Sequence, residues 1–312
     1  MTNLITPTTT TTTTPLPRLM LGDNQFFGVN HMSEERARAQ LMRFQRDEAI
    51  ADVLATACEL GISTFMCTTH DRITQVADLV RADPARYPGM SFQPCMPYAH
   101  KYANAVTEDG FLGAIKRFLP SDGLLGTTLR GAKSVATGDV DGLATLLVDA
   151  EMAMFEGLDT PVIWLQNVIV DLLVGLGMDD ALGVFAAHVE KKYGAQAGFI
   201  TMNLPQTLDA LDRAGVVNPI VCANINKAGF RMSGGIEAYR EALEQRPFRG
   251  VAMSVFASGA IPPREAISWI CEQPNIESVV FGASSRASLT STKELIDEYW
   301  VGPRSIGTQA AA

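Results

Sequence analysis

The chain has 312 residues, of which 47% are hydrophobic, so it can bury the core of one large domain. It carries 25 Lys and Arg against 34 Asp and Glu, and this net charge of −9 disfavours nucleic acid and anionic membrane surfaces as partners, because both select a basic face. A small anionic substrate needs only one local cation and is not excluded.

The cysteines and the chain ends indicate a cytoplasmic protein. The five cysteines form no C-x-x-C pair and are odd in number, which indicates reduced thiols. No apolar run is as long as a membrane span, and the N-terminus lacks the features of a secretory signal. We expect residues 1–16, rich in Thr and Pro, to be a disordered tail. Residues 17–302 are predicted to form a single domain, followed by a flexible tail at 303–312.

Short apolar runs alternate with helical patterns between these tails. This alternation predicts an α/β fold, a (β/α)8 TIM barrel, because strands buried on both faces are apolar throughout. A doubly wound open sheet, the alternative, would need a G-x-G-x-x-G loop, which is absent. Strands are predicted at 18–21, 62–67, 90–96, 162–167, 198–203, 219–226, 250–254 and 276–281, and helices at 34–60, 71–82, 141–156, 179–193, 205–214, 235–245, 263–273 and 288–299.

Two stretches are irregular. The first helix, 34–60, is long enough to be two helices with a break. Residues 97–140 are too many for an ordinary loop after a strand, so we predict an insertion after strand 3 that covers the barrel mouth.

Polar residues gather where the predicted strands end, the face on which barrel enzymes carry their chemistry. Three of the four histidines fall in the first three loops of this face, and amides finish strands four to six. Buried polar groups cost free energy unless they are paired, so this gathering indicates a small-molecule site. The candidate catalytic residues are Asp23, His70, Tyr98, His100, Lys101 and Lys227, and the candidate substrate-binding residues are Asn24, Gln25, Asn167 and Asn226.

Each candidate also has a structural interpretation. Asp23 alternatively caps a turn, and His70 with Asp71 alternatively begins a helix. Lys101 and Lys227 are either solvated lysines or bases with a lowered pKa. Zinc would suit three imidazoles, but tight ligand spacing is absent, so no metal site is predicted from His31, His70 and His100.

The last predicted strand leads into a loop typical of an anion site. Gly282 lets the backbone approach a ligand, while Ser284, Ser285 and Arg286 supply donors at the start of the next helix. Barrels often bind phosphate near strands seven and eight.

The motifs GFITMN at 198–203 and VVFGAS at 279–284, with LMLG at 19–22, resemble the aldo-keto reductases over most of the barrel. The resemblance implies a nicotinamide dinucleotide, NADP or NAD, bound without a Rossmann fold. By position, Asn203 would contact the nicotinamide amide, and Ser284, Ser285 and Arg286 the adenosine-side phosphate. Two further residues of these loops, Ser258 and Gly282, are also taken as cofactor-binding candidates.

The chain departs from the family's catalytic tetrad of Asp, Tyr, Lys and His. Residues 65–67 are Phe-Met-Cys where the aspartate belongs, 95–96 are Cys-Met where the lysine belongs, and 166–167 are Gln-Asn where the histidine belongs. A reductase would therefore have to use other groups, from a shifted position: Tyr98, His100 and Lys101.

Three functions remain open. The first is an NAD(P)-dependent oxidoreductase acting on a carbonyl or hydroxyl substrate, in which Tyr98 or His100 donates a proton and Lys101 lowers the donor's pKa.

The second is a cofactor-independent lyase, aldolase or isomerase in which Lys227 or Lys101 forms a Schiff base. Asp23 or His70 would then move protons, and Arg286 would hold a phosphate or carboxylate. The third is a non-catalytic barrel that binds a ligand.

Overall fold

A computed structural model describes residues 15–29, 33–98 and 140–302. Its strands are all parallel and close into a barrel in chain order, with the first strand hydrogen-bonded to the last, so the predicted (β/α)8 fold is confirmed. The eight strands are β1 (Leu19–Gly22), β2 (Thr64–Thr68), β3 (Ser91–Met96), β4 (Val162–Leu165), β5 (Gln196–Thr201), β6 (Ile220–Asn224), β7 (Arg249–Met253) and β8 (Ile276–Phe281).

Helices follow the strands around the outside of the barrel. Short 3-10 turns at Asn24–Phe27 and Ala257–Gly259 lie in the loops after β1 and β7. The α-helices of the described ranges are α1 (Glu34–Arg43), α2 (Asp47–Glu59), α3 (Asp71–Ala82), α4 (Val140–Met152), α5 (Asn167–Gly175), α6 (Asp180–Tyr193), α7 (Leu204–Arg213), α8 (Gly235–Gln245), α9 (Pro263–Cys271) and α10 (Arg286–Tyr299).

The stretch 34–60 forms two helices, as its length indicated, with the buried Phe44 in the break between α1 and α2. Helix α5 was not predicted, and the predicted strand 162–167 was too long, because Asn167 is the first residue of α5. Only Gln166 and Asn167 lie between the apolar residues of β4 and those of α5, and such short apolar runs do not by themselves separate a buried strand from a helix.

Parts of the predicted organisation lie outside the described residues. The predicted tails 1–16 and 303–312 do so except for Pro15 and Leu16, and Leu16 packs against the barrel interior. The predicted insertion at 97–140 does so except for Pro97, Tyr98 and Val140. Within the described ranges, no helix combines the length and apolar character needed to cross a bilayer.

Trp164 fills the middle of the barrel. Its indole is fully buried, and Nε1 donates a hydrogen bond of 2.9 Å to Oε1 of Gln93 on β3. Gly198 pairs with Trp164 in register on β5, and a Cβ on Gly198 would lie 2.3 Å from the indole ring. The glycine therefore makes the space that the tryptophan occupies.

The seam between β1 and β8 is joined by side chains from distant parts of the chain. Arg18, just before β1, forms an ion pair with Asp297 on α10. Gln25, after β1, donates from Nε2 to the carbonyl of Ala283 after β8, at 2.9 Å. Arg286 forms an ion pair with Glu59 on α2.

Gly198→Ala should lower the free energy of unfolding by about 1–3 kcal/mol, because the new methyl group would overpack the barrel against the rigid indole. Urea unfolding measures the change. The matched control is Gly175→Ala at the end of α5, where a Cβ would meet nothing within 4 Å, and its stability should be unchanged or slightly raised. Equal stability of the two variants would contradict this account of the core.

Candidate functional site

Asp23 is a buried carboxylic acid at the mouth of the barrel, directly after β1. Its side chain is 6% exposed and does not cap the turn that it begins. Instead, Oδ2 accepts hydrogen bonds from the backbone N–H of Thr68 at 2.7 Å and from its hydroxyl at 2.6 Å, at the end of β2. Burial raises the pKa of Asp23, although these hydrogen bonds act in the opposite direction. The group therefore keeps a proton to higher pH than an exposed aspartic acid does.

His70 caps α3, as its structural interpretation predicted. Its Nδ1 accepts from the backbone N–H of Arg72 at 3.2 Å, so the proton of the neutral imidazole is on Nε2. The ring stacks on Phe27, with centroids 4.3 Å apart and an interplanar angle of 17°. Tyr98 lies 5.8 Å from His70, between centroids. Phe27, His70 and Tyr98 together form what we call the aromatic wall.

Tyr98 lies two residues beyond the end of β3. Its phenol has a raised pKa because it is partly buried and because the negative charges of Asp23 and Asp71 oppose its ionisation. The predicted lowering of this pKa by Lys101 has no test in the structure, because Lys101 and His100 lie outside the described residues, as does His31. Asp23, His70 and Tyr98 are the catalytic candidates that the described structure brings together.

Glu151 is a mouth residue that the sequence analysis missed. It lies on α4 and is only 2% exposed. One of its carboxylate oxygens accepts from the hydroxyl of Thr69, and both lie 3.2 Å from the backbone N–H of Tyr98. Glu151 follows the buried Val148 by three residues, so the available signal was a charged residue on the buried face of an amphipathic helix.

A third carboxylate holds the end of β5. Asp171 on α5 accepts from the hydroxyl of Thr201 at 2.6 Å and from the N–H of Met202 at 3.1 Å. Burial raises the pKa of Asp171. The next residue, Asn203, was predicted to contact nicotinamide, and its Oδ1 caps α7 through a loose 3.5 Å contact with the N–H of Gln206.

Gln25 occupies the position next to Gly282, after β8. Its Nε2 donates to the carbonyls of Gly22 and Ala283, and its Oε1 lies 2.5 Å from where a Cβ of Gly282 would be. The predicted substrate-binding role of Gln25 therefore competes with a structural one. The small size of Gly282 accommodates this amide, a reason for a glycine here that the sequence did not reveal.

The loop after β8 begins α10 with a capping box. The hydroxyl of Ser285 accepts from the N–H of Ser288, and the Ser288 hydroxyl accepts from the N–H of Ser285. Ser284, one residue earlier, is partly exposed. Arg286 is the first residue of the helix, and its exposed guanidinium pairs with Glu59. The other cofactor candidate, Ser258, has a left-handed backbone with φ 57° in the turn after β7.

The side-chain hydrogen bonds of the remaining predicted residues are to groups other than Asp23, His70 and Tyr98. Lys227 forms a 2.8 Å ion pair with Glu265, and both side chains are about half exposed. Asn226 is fully buried and closes a turn through two hydrogen bonds to the backbone of Phe230. Asn24 is exposed on the 3-10 turn after β1.

Metal and thiol chemistry have little support in the described ranges. No group of three or more His, Cys, Asp or Glu side chains in them could hold a metal ion. Cys67 and Cys95 lie near the mouth but are buried, and burial with the charge of Asp23 raises the pKa of both thiols well above the ordinary value. They are therefore neutral thiols.

Asp23→Asn should change how stability depends on pH. Because burial raises the pKa of Asp23 in the folded chain, the folded state binds the extra proton, and the free energy of unfolding falls as the pH rises between the unfolded and folded pKa values. The variant lacks this titration, so its unfolding free energy relative to wild type should increase from about pH 4 to pH 7. Urea unfolding at several pH values measures it.

Asp209→Asn removes a carboxylate from an exposed ion pair with Arg246 and is the matched control. A constant difference in unfolding free energy between Asp23→Asn and wild type across this pH range would show that folding does not raise the pKa of Asp23.

Comparisons with known proteins identify the fold and nothing closer. No family model and no curated protein matches the sequence. Among solved structures, a Pseudomonas aeruginosa protein assigned to the aldo-keto reductases has 13% identity and a TM-score of 0.56, with 93% of each chain covered. The aldose reductase of Giardia lamblia has 12% identity and a TM-score of 0.52, with 90% of this chain and 87% of that chain covered.

A third structure, assigned as a 2,5-diketo-D-gluconic acid reductase B, has 11% identity and a TM-score of 0.54, with 90% of this chain and 83% of that chain covered. At such identities the similarity is one of architecture. The barrel of this chain is similar in fold to those of the aldo-keto reductases.

Proposed function

We propose that this protein is an NAD(P)-dependent oxidoreductase that acts on a small carbonyl or hydroxyl substrate. The observation that carries the proposal is Asp23, a buried acid with a raised pKa at the carboxyl end of the barrel, in the same mouth as the aromatic wall. Perturbed acids in such positions are typical of proton-transfer sites. The similarity in fold to the aldo-keto reductases supports the redox class.

The loop after β8 has the chemistry that a dinucleotide phosphate requires. In a helix the first N–H groups have no partner within the helix, and the capping box of α10 uses that of Ser288, so those of Arg286 and Ala287 suit an anion. Arg286 adds a positive charge at the same helix end. Asn203 and Ser258 would contact the rest of the cofactor from the ends of β5 and β7. The bound nicotinamide would supply or accept a hydride.

The protein's own part is to orient the substrate and to move one proton. Asp23, when protonated, can donate to the oxygen of a carbonyl as it becomes a hydroxyl, and as a carboxylate it can accept that proton in the reverse reaction. In the neutral form of His70, Nδ1 accepts the cap of α3, so the proton is on Nε2, which is a hydrogen-bond donor. The rings of Phe27 and Tyr98 flank it and reduce contact with water.

The surroundings of Lys227 weaken the form of the lyase alternative in which this lysine makes the Schiff base; the other candidate, Lys101, lies outside the described residues. A Schiff base needs a neutral amine in a desolvated pocket, whereas the Lys227 amine is half exposed and paired with Glu265. We therefore favour the oxidoreductase. We further propose a cytoplasmic location and a small-molecule substrate, without nucleic acid or membrane partners, in keeping with the net charge of −9.

Titration with NADPH and with NADH, followed by nicotinamide fluorescence, tests cofactor binding. Saturable binding in the micromolar range is expected. Arg286→Ala should weaken it about tenfold, since charged hydrogen bonds contribute roughly 1.5–3 kcal/mol and this one is partly screened by solvent. Glu59→Gln is the matched variant, because it releases the Arg286 guanidinium and should tighten binding. Unchanged binding in both variants would show that the cofactor phosphate does not bind to this loop. No cofactor binding by the wild-type protein would refute the redox assignment.

Turnover tests the proton-transfer role. With a panel of aldehydes and ketones and saturating cofactor, Asp23→Asn should lower kcat by about 10²–10⁴-fold, the usual contribution of a general acid. The control variant is again Asp209→Asn, far from the mouth. Full activity of Asp23→Asn would assign the proton to another group.

A further inference from the structure

Glu151 connects two loops of the barrel mouth from behind. Thr69 belongs to the loop after β2 and immediately precedes His70, and Tyr98 belongs to the loop after β3. Thr69 is fully buried and donates its hydroxyl hydrogen to Glu151. The backbone N–H of Tyr98 lies 3.2 Å from both carboxylate oxygens. One side chain on α4 therefore reaches the residue beside His70 and the backbone of Tyr98.

Burial makes these contacts necessary for the carboxylate. A carboxyl group that is 2% exposed has lost its water, and the loss is offset only if donors replace it. Charge-assisted hydrogen bonds are also roughly twice as strong as neutral ones, so they resist small displacements of the donors. Moving either loop would break a hydrogen bond to a group that water cannot reach.

The two donors are near the groups that the proposed reaction uses. His70 and Tyr98 are 5.8 Å apart between ring centroids, and His70 is stacked on Phe27. Their spacing depends on loops from different strands, which the barrel hydrogen bonds do not join at this level. The network through Glu151 supplies that connection.

We propose that Glu151 is a positioning residue, which fixes His70 and Tyr98 relative to each other in the mouth of the barrel. The inference rests on the proposed function for its catalytic consequence, but the geometry that it predicts can be measured without turnover. Glu151 acts through the two loops and does not itself touch the substrate.

Fluorine NMR measures the positioning directly. In protein labelled with 3-fluorotyrosine, Tyr98→Phe identifies the Tyr98 resonance and Tyr193→Phe that of Tyr193. The Tyr193 hydroxyl donates to Asp149 on the same helix as Glu151, at 2.6 Å, so its resonance reports any general movement of α4. Glu151→Gln and Thr69→Val should shift or broaden the Tyr98 resonance and leave that of Tyr193 in place.

The variants separate the network from simple folding. Thr69→Ser keeps the hydroxyl and should restore the Tyr98 resonance, while Glu156→Gln, an exposed glutamate just beyond α4, is the matched control. An unchanged Tyr98 resonance in folded Glu151→Gln and Thr69→Val would overturn the proposal. So would equal changes at Tyr98 and Tyr193.

Kinetics add the catalytic consequence. With cofactor saturating, Glu151→Gln and Thr69→Val should lower kcat by about tenfold or more, since small misplacements of active-site groups are costly. The Kd for NADPH should stay the same, because the loop after β8 is untouched. If wild type binds no cofactor, the proposed function fails while the NMR result still decides the role of Glu151. An altered Tyr98 resonance with wild-type kcat would show that the positioning has no catalytic role and would overturn that part of the inference.

Discussion

A carboxylate that accepts both a threonine hydroxyl and a backbone N–H secures the barrel mouth at three places. Where a strand leaves the sheet, its next N–H groups lose their strand partners and must be satisfied in another way. A buried carboxylate meets that need and fixes the direction in which the loop departs. Because each of these carboxyl groups is at least partly buried, its hydrogen bonds to the loops replace water that it has lost. The three sets are Asp23 with Thr68, Glu151 with Thr69 and Tyr98, and Asp171 with Thr201 and Met202.

The same burial that fixes these loops also changes the pKa values of the groups at the site. Asp23 has a raised pKa because burial outweighs its two hydrogen bonds, and the carboxylates of Asp23 and Asp71 oppose ionisation of Tyr98. Desolvation therefore raises the pKa of both Asp23 and Tyr98. A site of this kind favours donation of a proton to a neutral oxygen over nucleophilic attack by an anion.

The sequence predicted the barrel because strand patterns alternate with helix endings, such as Gly194 after α6 and the proline that begins α9. It did not predict α5, whose apolar residues follow those of β4 after only Gln166 and Asn167. It also identified the mouth as polar but could not separate ligand-binding residues from structural ones. Gln25 and Asn226 are amides at strand ends, as ligand-binding residues often are, but their side chains bond to backbone groups. Glu151 was missed because its donors, Thr69 and Tyr98, come from elsewhere in the chain.

The seam of the barrel has a consequence for how the protein folds. Its contacts join residues as far apart as Arg18 and Asp297, 279 positions along the chain, so their formation carries a large loop-closure entropy and belongs late in folding. The loop from Gly282 to Arg286 is part of this seam. An anion bound to this loop would stabilise the folded barrel over the unfolded chain, and the stabilisation would grow with the anion's concentration.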